Sequence, residues 1–425
     1  MRRNRFFVRT IATLVILAFA VTASGTGASS QPETVLHSFG NGRDGAQPSS
    51  NLVFDAAGNF YGETNAGGVF GFGTIYELSP SARGWTEKVL YNFSNVGNDG
   101  YLPSGGLVLD ALGNLFGTTT DGGIYCCGTA FELIKSGDQW TEKILHNFGN
   151  GSDGSCSCSN LIFDAVGNLY GTASAGGGNS AGIAFELTPT AAGRWKERIL
   201  YSFHGLSGNQ PYAGLTFDAA GNLYGTTLLG GNCGTDCGVV FRLTPDADGG
   251  WTETVIHDFN TFQDSGDGAN PYAGIVIDPA GNLYGTTSNG GLMSQCNGLG
   301  CGVVYELSPG PDGSWTETIL HRFGNGDEGF NVVDGLTFNA AGDLYGTTPS
   351  GLGTDFGCGT IFKLSPKHNG GWSERLFFAF NSGGACGPGG LTIDSVGNLY
   401  GTAGGGAYNN CAGGGSCGTA FEITP

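Results

Sequence analysis

The chain has 425 residues, 36 Asp+Glu against 17 Lys+Arg, and a formal net charge of −19. So acidic a surface repels nucleic acid and anionic membranes, which argues against both and leaves cations, basic proteins and neutral sugars. Glycine supplies 81 residues, but these keep register with apolar runs, so they mark turns of a folded β protein rather than low complexity.

Residues 1–28 differ from the rest. Arg2, Arg3, Arg5 and Arg9 form a basic start, Ile11 to Ala23 an apolar run, and Ala23, Ser24, Gly25 and Ala28 a small-residue exit. This is the three-part layout of a removable secretory signal, and the run is short for a membrane span. The expected mature chain is 29–425, exported to the periplasm or cell surface or secreted, more acidic still, and monomeric.

From residue 29 onward one pentapeptide recurs. Gly-Asn-Leu-Tyr-Gly or a close variant opens at Gly58, Gly113, Gly167, Gly221, Gly281, Gly342 and Gly397, about 54–61 residues apart, the mark of a copied and stacked unit. The unit at 211–259 shows four β-type runs. Ala213 to Asp218 and Asn222 to Thr227 are joined by a tight Asp-Ala-Ala-Gly turn. Gly238 to Pro245 and Trp251 to Phe259 follow. Asp218 caps that turn and Gly221 supplies its positive φ. No stretch carries a helical period.

Four-stranded units repeated radially are propeller blades. Trp-type fourth strands begin at Trp85, Trp140, Trp195, Trp251, Trp315 and Trp372. The seventh has no Trp and sits at the start, Glu33 to Phe39, whereas the sequence stops at Pro425 just after a third strand. The expected fold is an all-β, seven-bladed β-propeller with four antiparallel strands per blade. The N-terminal strand closes the ring and covers an edge; a linear β-solenoid is the alternative. The Gly/Cys loops and the loops after each fourth strand then share one face. That face varies most among the repeats, so it is the candidate functional one.

Twelve cysteines in an exported chain read as disulfides. Cys233–Cys237, Cys296–Cys301 and Cys411–Cys417 are local pairs at one place in their repeats. Cys156 and Cys386 each stand five residues before a leading leucine, Leu161 and Leu391. This pairs Cys127 with Cys156 and Cys358 with Cys386, and leaves Cys126 with Cys158. Zinc is the competing reading, but no four-ligand set is complete.

The repeat Leu-x-Phe-Asp-Ala-Ala-Gly-Asn-Leu-Tyr-Gly-Thr-Thr, followed by Gly-Gly and then Gly-Val-Val-Phe-x-Leu-Thr-Pro, resembles the GloVer (Gloeo/Verruco) tandem-repeat family of exported bacterial proteins. The resemblance spans nearly the whole mature chain. It implies a surface or secreted location and carries no catalytic residues to transfer. Repeat six exchanges the usual Asp and Asn, as Asn339 and Asp343. The hairpin turn alone is similar to that of secreted propellers such as the streptogramin lyases.

His37, His146, His257 and His321 share one fourth-strand position with Tyr91, Tyr201 and Phe378, which reads as packing. His204 and His368 are isolated. The hairpin aspartates, Asp55 among them, offer one carboxylate per turn, too few for calcium. Asp44, Asp99, Asp153, Asp267 and Asp327, in loops after fourth strands, are candidate Ca2+ ligands if they converge near the axis, with ordinary turn chemistry as the alternative. Tyr101, Tyr212 and Tyr272 stand before first strands and are candidate sugar-stacking residues, with rim packing equally weighted. No nucleophile elbow, zinc-protease motif or phosphate loop occurs, so no catalytic residue is nominated. Two functions remain: an adhesion or binding module for an extracellular glycan or protein, and a lyase- or lactone-hydrolase-type propeller with a metal in its channel.

Overall fold

The computed structural model describes residues 33–425 except 41, 158, 234–236, 261–265, 325–327, 352–356, 369, 382–384 and 407–416. The expected signal, residues 1–28, therefore lies outside the described residues, as do Cys158, Asp327 and Cys411.

Seven antiparallel sheets, each with four blade strands and two of them with one extra short strand, form a seven-bladed propeller. Blade 4 shows the plan: Thr216–Phe217 innermost, then Leu223–Thr227, Val239–Pro245 and Trp251–Asp258 outermost. The Asp-x-x-Gly-Asn turn that joins the first two strands is built as its residue types require. Asp218 Oδ1 accepts from the N–H groups of Ala220 at 2.8 Å and Asn222 at 2.9 Å, while Oδ2 accepts from Asn222 Nδ2 at 2.7 Å. Gly221 takes φ 85°, a conformation that a side chain makes costly. In blade 6 the exchange keeps the bond, with Asn339 Nδ2 donating to Asp343 Oδ2 at 2.9 Å. It also sets the carboxylate 2.7 Å from Lys363 Nζ on the third strand.

Blade 7 combines both ends of the chain. Glu33–Ser38 pairs antiparallel with Thr419–Ile423, Glu33 opposite Ile423 and Ser38 opposite Thr419. The ring is thus closed by the N-terminal strand, which rules out the solenoid.

The blades interlock through one aromatic pair per boundary. A fully buried Phe just after each outer strand meets the third-strand aromatic of the next blade edge-on or tilted. The pairs are Phe39–Tyr76, Phe93–Phe131, Phe148–Phe185, Phe203–Phe241, Phe259–Tyr305, Phe323–Phe362 and Phe380–Phe421, with centroids 4.8–5.3 Å apart. Geometry of this kind adds to the area buried. The glycine of the Leu-Tyr-Gly segment makes room for these rings: a Cβ at Gly117 would lie 2.7 Å from the Phe131 ring.

Candidate functional site

First strands from all seven blades line a central channel of about 800 Å³. Its wall mixes aliphatic side chains such as Leu52, Val108 and Ile275 with hydroxyl and amide groups, Ser49, Ser50, Asn51, Ser104, Ser159 and Asn160 among them. Tyr212 and Tyr272 also line it. Adjacent blades hold their rings stacked, with centroids 5.0 Å apart and planes 18° from parallel, and Tyr272 stays 40% exposed. Tyr101 is placed elsewhere. Its strand pairs with the second strand of blade 2, opposite Asp121, and its ring packs 5.2 Å from Phe72 of blade 1.

Two acids break the repeat near the axis. Asp334 lines the channel, and burial raises its carboxyl to about 7. Glu63 occupies the second-strand position that the other blades fill with Thr118, Thr172, Thr226, Thr286, Thr347 and Thr402. Those threonines donate to a backbone carbonyl of the next blade, as Thr118 does to Ser159 O at 3.0 Å. Glu63 reverses the polarity: its Oε1 accepts from Gly106 N–H at 2.8 Å, and full burial raises it to about 7. The signal was present in the sequence as Tyr-Gly-Glu-Thr among Tyr-Gly-Thr-Thr repeats.

The loop aspartates do not converge on the axis. Each of the four described ones is held at a different blade boundary, beside the outer strand of its own blade. Asp44 Oδ2 lies 3.2 Å from His37 Nε2, and Asp153 Oδ2 lies 2.8 Å from His146 Nε2. Asp99 Oδ2 accepts from Ser94 N–H at 2.7 Å. Asp267 Oδ1 lies 3.5 Å from His257 Nε2. At the next boundary Glu328 stands 2.8 Å from His321 Nε2, one residue past Asp327. The histidines do pack as the sequence indicates, edge-on against the Phe two residues later, as His257 does on Phe259 at 4.7 Å. They also carry these polar contacts.

A third member comes from the next blade: Glu87, Glu142, Glu197, Glu253, Glu317 and Glu374, the acid two residues after each outer-strand Trp. Burial first, and then a neighbouring aspartate charge, raises Glu87 and Glu197 to about 7 and Glu142 to about 8. The Trp-x-Glu spacing was visible in the sequence, but its partner lies one blade away. A β-bulge at a matching place in each blade, between Val240 and Phe241 in blade 4, re-aims the end of the outer strand toward that glutamate.

The structure joins Cys233 to Cys237, Cys296 to Cys301 and Cys358 to Cys386. Cys417 is also disulfide-bonded, and its expected partner Cys411 lies outside the described residues. The pairing of Cys127 with Cys156 is corrected: their sulfurs are not joined, and Cys126 is an exposed thiol. The reason is register. Cys127 O accepts from the N–H of Cys156 itself at 3.0 Å, whereas Cys358 O accepts from Gly387 N–H at 2.7 Å. Cys156 therefore matches Gly387, and Ser155 matches Cys386. Counting back from the leading leucine misaligned them because blade 7 has one residue fewer there.

The profile of the Gloeobacter/Verrucomicrobia repeat matches residues 18–236 and 218–425. The chain belongs to that family. No functionally curated protein matches the sequence. Among solved structures, a proposed 6-phosphogluconolactonase from Bacteroides uniformis is similar at 14% identity and TM-score 0.47, over 78% of this chain and 85% of that one. A proposed glucose dehydrogenase from Thermus thermophilus is similar at 16% identity and TM-score 0.42, over 93% and 100%. Among the described residues, no helix of this repeat protein is long and apolar enough to cross a membrane.

Proposed function

We propose that this member of the repeat family is an exported binding module whose channel mouth takes a neutral glycan. The observation that carries the reading is the stacked Tyr212–Tyr272 pair on the channel wall. A half-exposed aromatic surface beside hydroxyl and amide groups suits a sugar, which offers an apolar C–H face and a rim of hydroxyls. The described lining residues include no Lys, Arg or His, so the wall offers nothing to balance an anionic ligand. Asp334 is the one acid among these described lining residues.

Glu63 is the observation that favours a lyase- or lactone-hydrolase-type propeller, since a buried carboxyl near 7 suits proton transfer. However, its Oε1 is held by Gly106 N–H across the blade boundary and the residue is fully buried, which supports a structural tie. A glycan array probed with the mature protein tests the binding reading. Signals that weaken in Tyr272→Ala support it, and an array without signal, or one the variant reproduces at equal strength, overturns it.

A further inference from the structure

We propose that His257, Asp267 and Glu317 form a binding site for one divalent transition-metal ion, such as Zn2+, at the boundary of blades 4 and 5. The site is separate from the channel and independent of the glycan reading.

The two separations from the imidazole are spaced for an ion. His257 Nε2 lies 3.5 Å from Asp267 Oδ1 and 3.5 Å from Glu317 Oε1. Zinc sits about 2.0–2.2 Å from imidazole nitrogen and carboxylate oxygen, so the edges of a tetrahedral set are about 3.3–3.6 Å. At 3.5 Å the donors form long ion pairs rather than short hydrogen bonds, and they are close enough to share an ion. All three atoms lie within 4.8 Å of one another.

Beyond these long ion pairs, buried His257 Nε2 and Glu317 Oε1 have no hydrogen-bond partner among the described residues. Buried polar atoms without a short hydrogen bond are costly, and a cation satisfies both at once.

The surrounding contacts hold the ligands in place. Asp267 accepts from Gly268 N–H at 2.7 Å and from Asn260 N–H at 2.9 Å, and the edge contact with Phe259 fixes the His257 ring. Asp258 adds negative charge next to His257. Arg322 opposes it near Glu317, but its Nε is engaged by Gly266 O at 3.1 Å. One imidazole and two carboxylates suit Zn2+ or Mn2+ more than the soft, thiolate-bound metals.

Two other boundaries hold the same residue types, His146 with Asp153 and Glu197, and His321 with Glu328 and Glu374. There the His and the loop acid already hydrogen-bond at 2.8 Å, so an ion would have to displace that bond.

The test uses untagged mature protein, loaded with Zn2+, dialysed against metal-free buffer and assayed by elemental analysis. His257→Phe is the informative variant, because blade 6 carries Phe378 at that position and folds with it. Glu317→Gln is the second, nearly isosteric one. The proposal expects His257→Phe and Glu317→Gln each to retain one zinc ion fewer per chain than wild type. It also expects zinc to raise the melting temperature of wild type and to do so less in the variants, because the ion staples two blades. Substitution by Co2+ should give visible absorption without a sulfur-to-cobalt charge-transfer band. Absence of retained zinc, equal retention in His257→Phe, or a thiolate band that accounts for all the bound metal would each overturn the site.

Discussion

The hydroxyl of Tyr91 in blade 1 donates to Glu142 Oε2 in blade 2 at 3.0 Å. Beside this pair stands Asp99, so two carboxyls meet at one boundary. Burial and the Asp99 charge raise Glu142 from 4.5 to about 8. The folded chain holds this proton more tightly than the unfolded chain does. Its stabilisation is therefore complete below pH about 4.5 and is lost as pH rises through about 8. Glu87, Glu197 and Glu253, each raised to about 7, act in the same direction. The melting temperature should fall between pH 5 and pH 9. Glu142→Gln, which keeps an acceptor for Tyr91, should flatten that fall. A flat wild-type profile would contradict the raised glutamates.

Glu63 gives a pH effect with a reversal built in. At low pH it is neutral, fills its space and accepts from Gly106 N–H. Above pH about 7 the fold must bury its charge. Replacing it with the threonine of the other blades should cost stability at pH 5 through lost packing. That deficit should shrink or reverse at pH 8. Melting curves at the two pH values decide it; a deficit that grows with pH would show the carboxylate to be stabilising.

Ring closure rests on residues 33–39. Leu36 and Phe39 are buried with Leu52, Phe60, Tyr76 and Leu78 of blade 1. Deleting residues 29–40 should lower the melting temperature and promote aggregation through the exposed edge of Thr419–Ile423. Phe39→Ala alone should cost about 3–5 kcal/mol, as for other fully buried rings. Denaturant unfolding of both variants provides the check.

The matched register of blades 3 and 7 predicts a disulfide that the chain lacks. Ser155 matches Cys386, so Ser155→Cys should bond to Cys127 and raise stability. The gain should be about 3.6 kcal/mol on a chain-entropy view, since the closed loop is close in length to the 28-residue separation of Cys358 and Cys386. Peptide mapping without reduction should find Cys127 linked to the introduced cysteine in the Ser155→Cys variant. In wild type it should find no Cys127–Cys156 link.

Much of the fold was legible because each blade repeats its local chemistry. Asp218 and Gly221 announce the hairpin, and the outer strand displaced to Glu33 announces closure. The candidate sites were less legible because their contacts cross between blades. Glu317 lies 60 residues from His257 in the chain, beyond any local pattern, and the bulge that turns His257 toward it does not alter the alternation of residue types. Tyr101 shares a sequence position with the channel tyrosines in outline only: its segment pairs as a strand in blade 2, which takes the ring to Phe72.

The channel reading is tested most directly by calorimetric titration of an array-positive neutral oligosaccharide into wild type and the Tyr212→Ala/Tyr272→Ala double variant, with melting curves of both. Aromatic stacking of about 1 kcal/mol or more predicts at least about fivefold weaker binding by the double variant. Its melting temperature should be nearly unchanged, because Tyr272 is 40% exposed. Equal affinity in the two proteins would contradict the account.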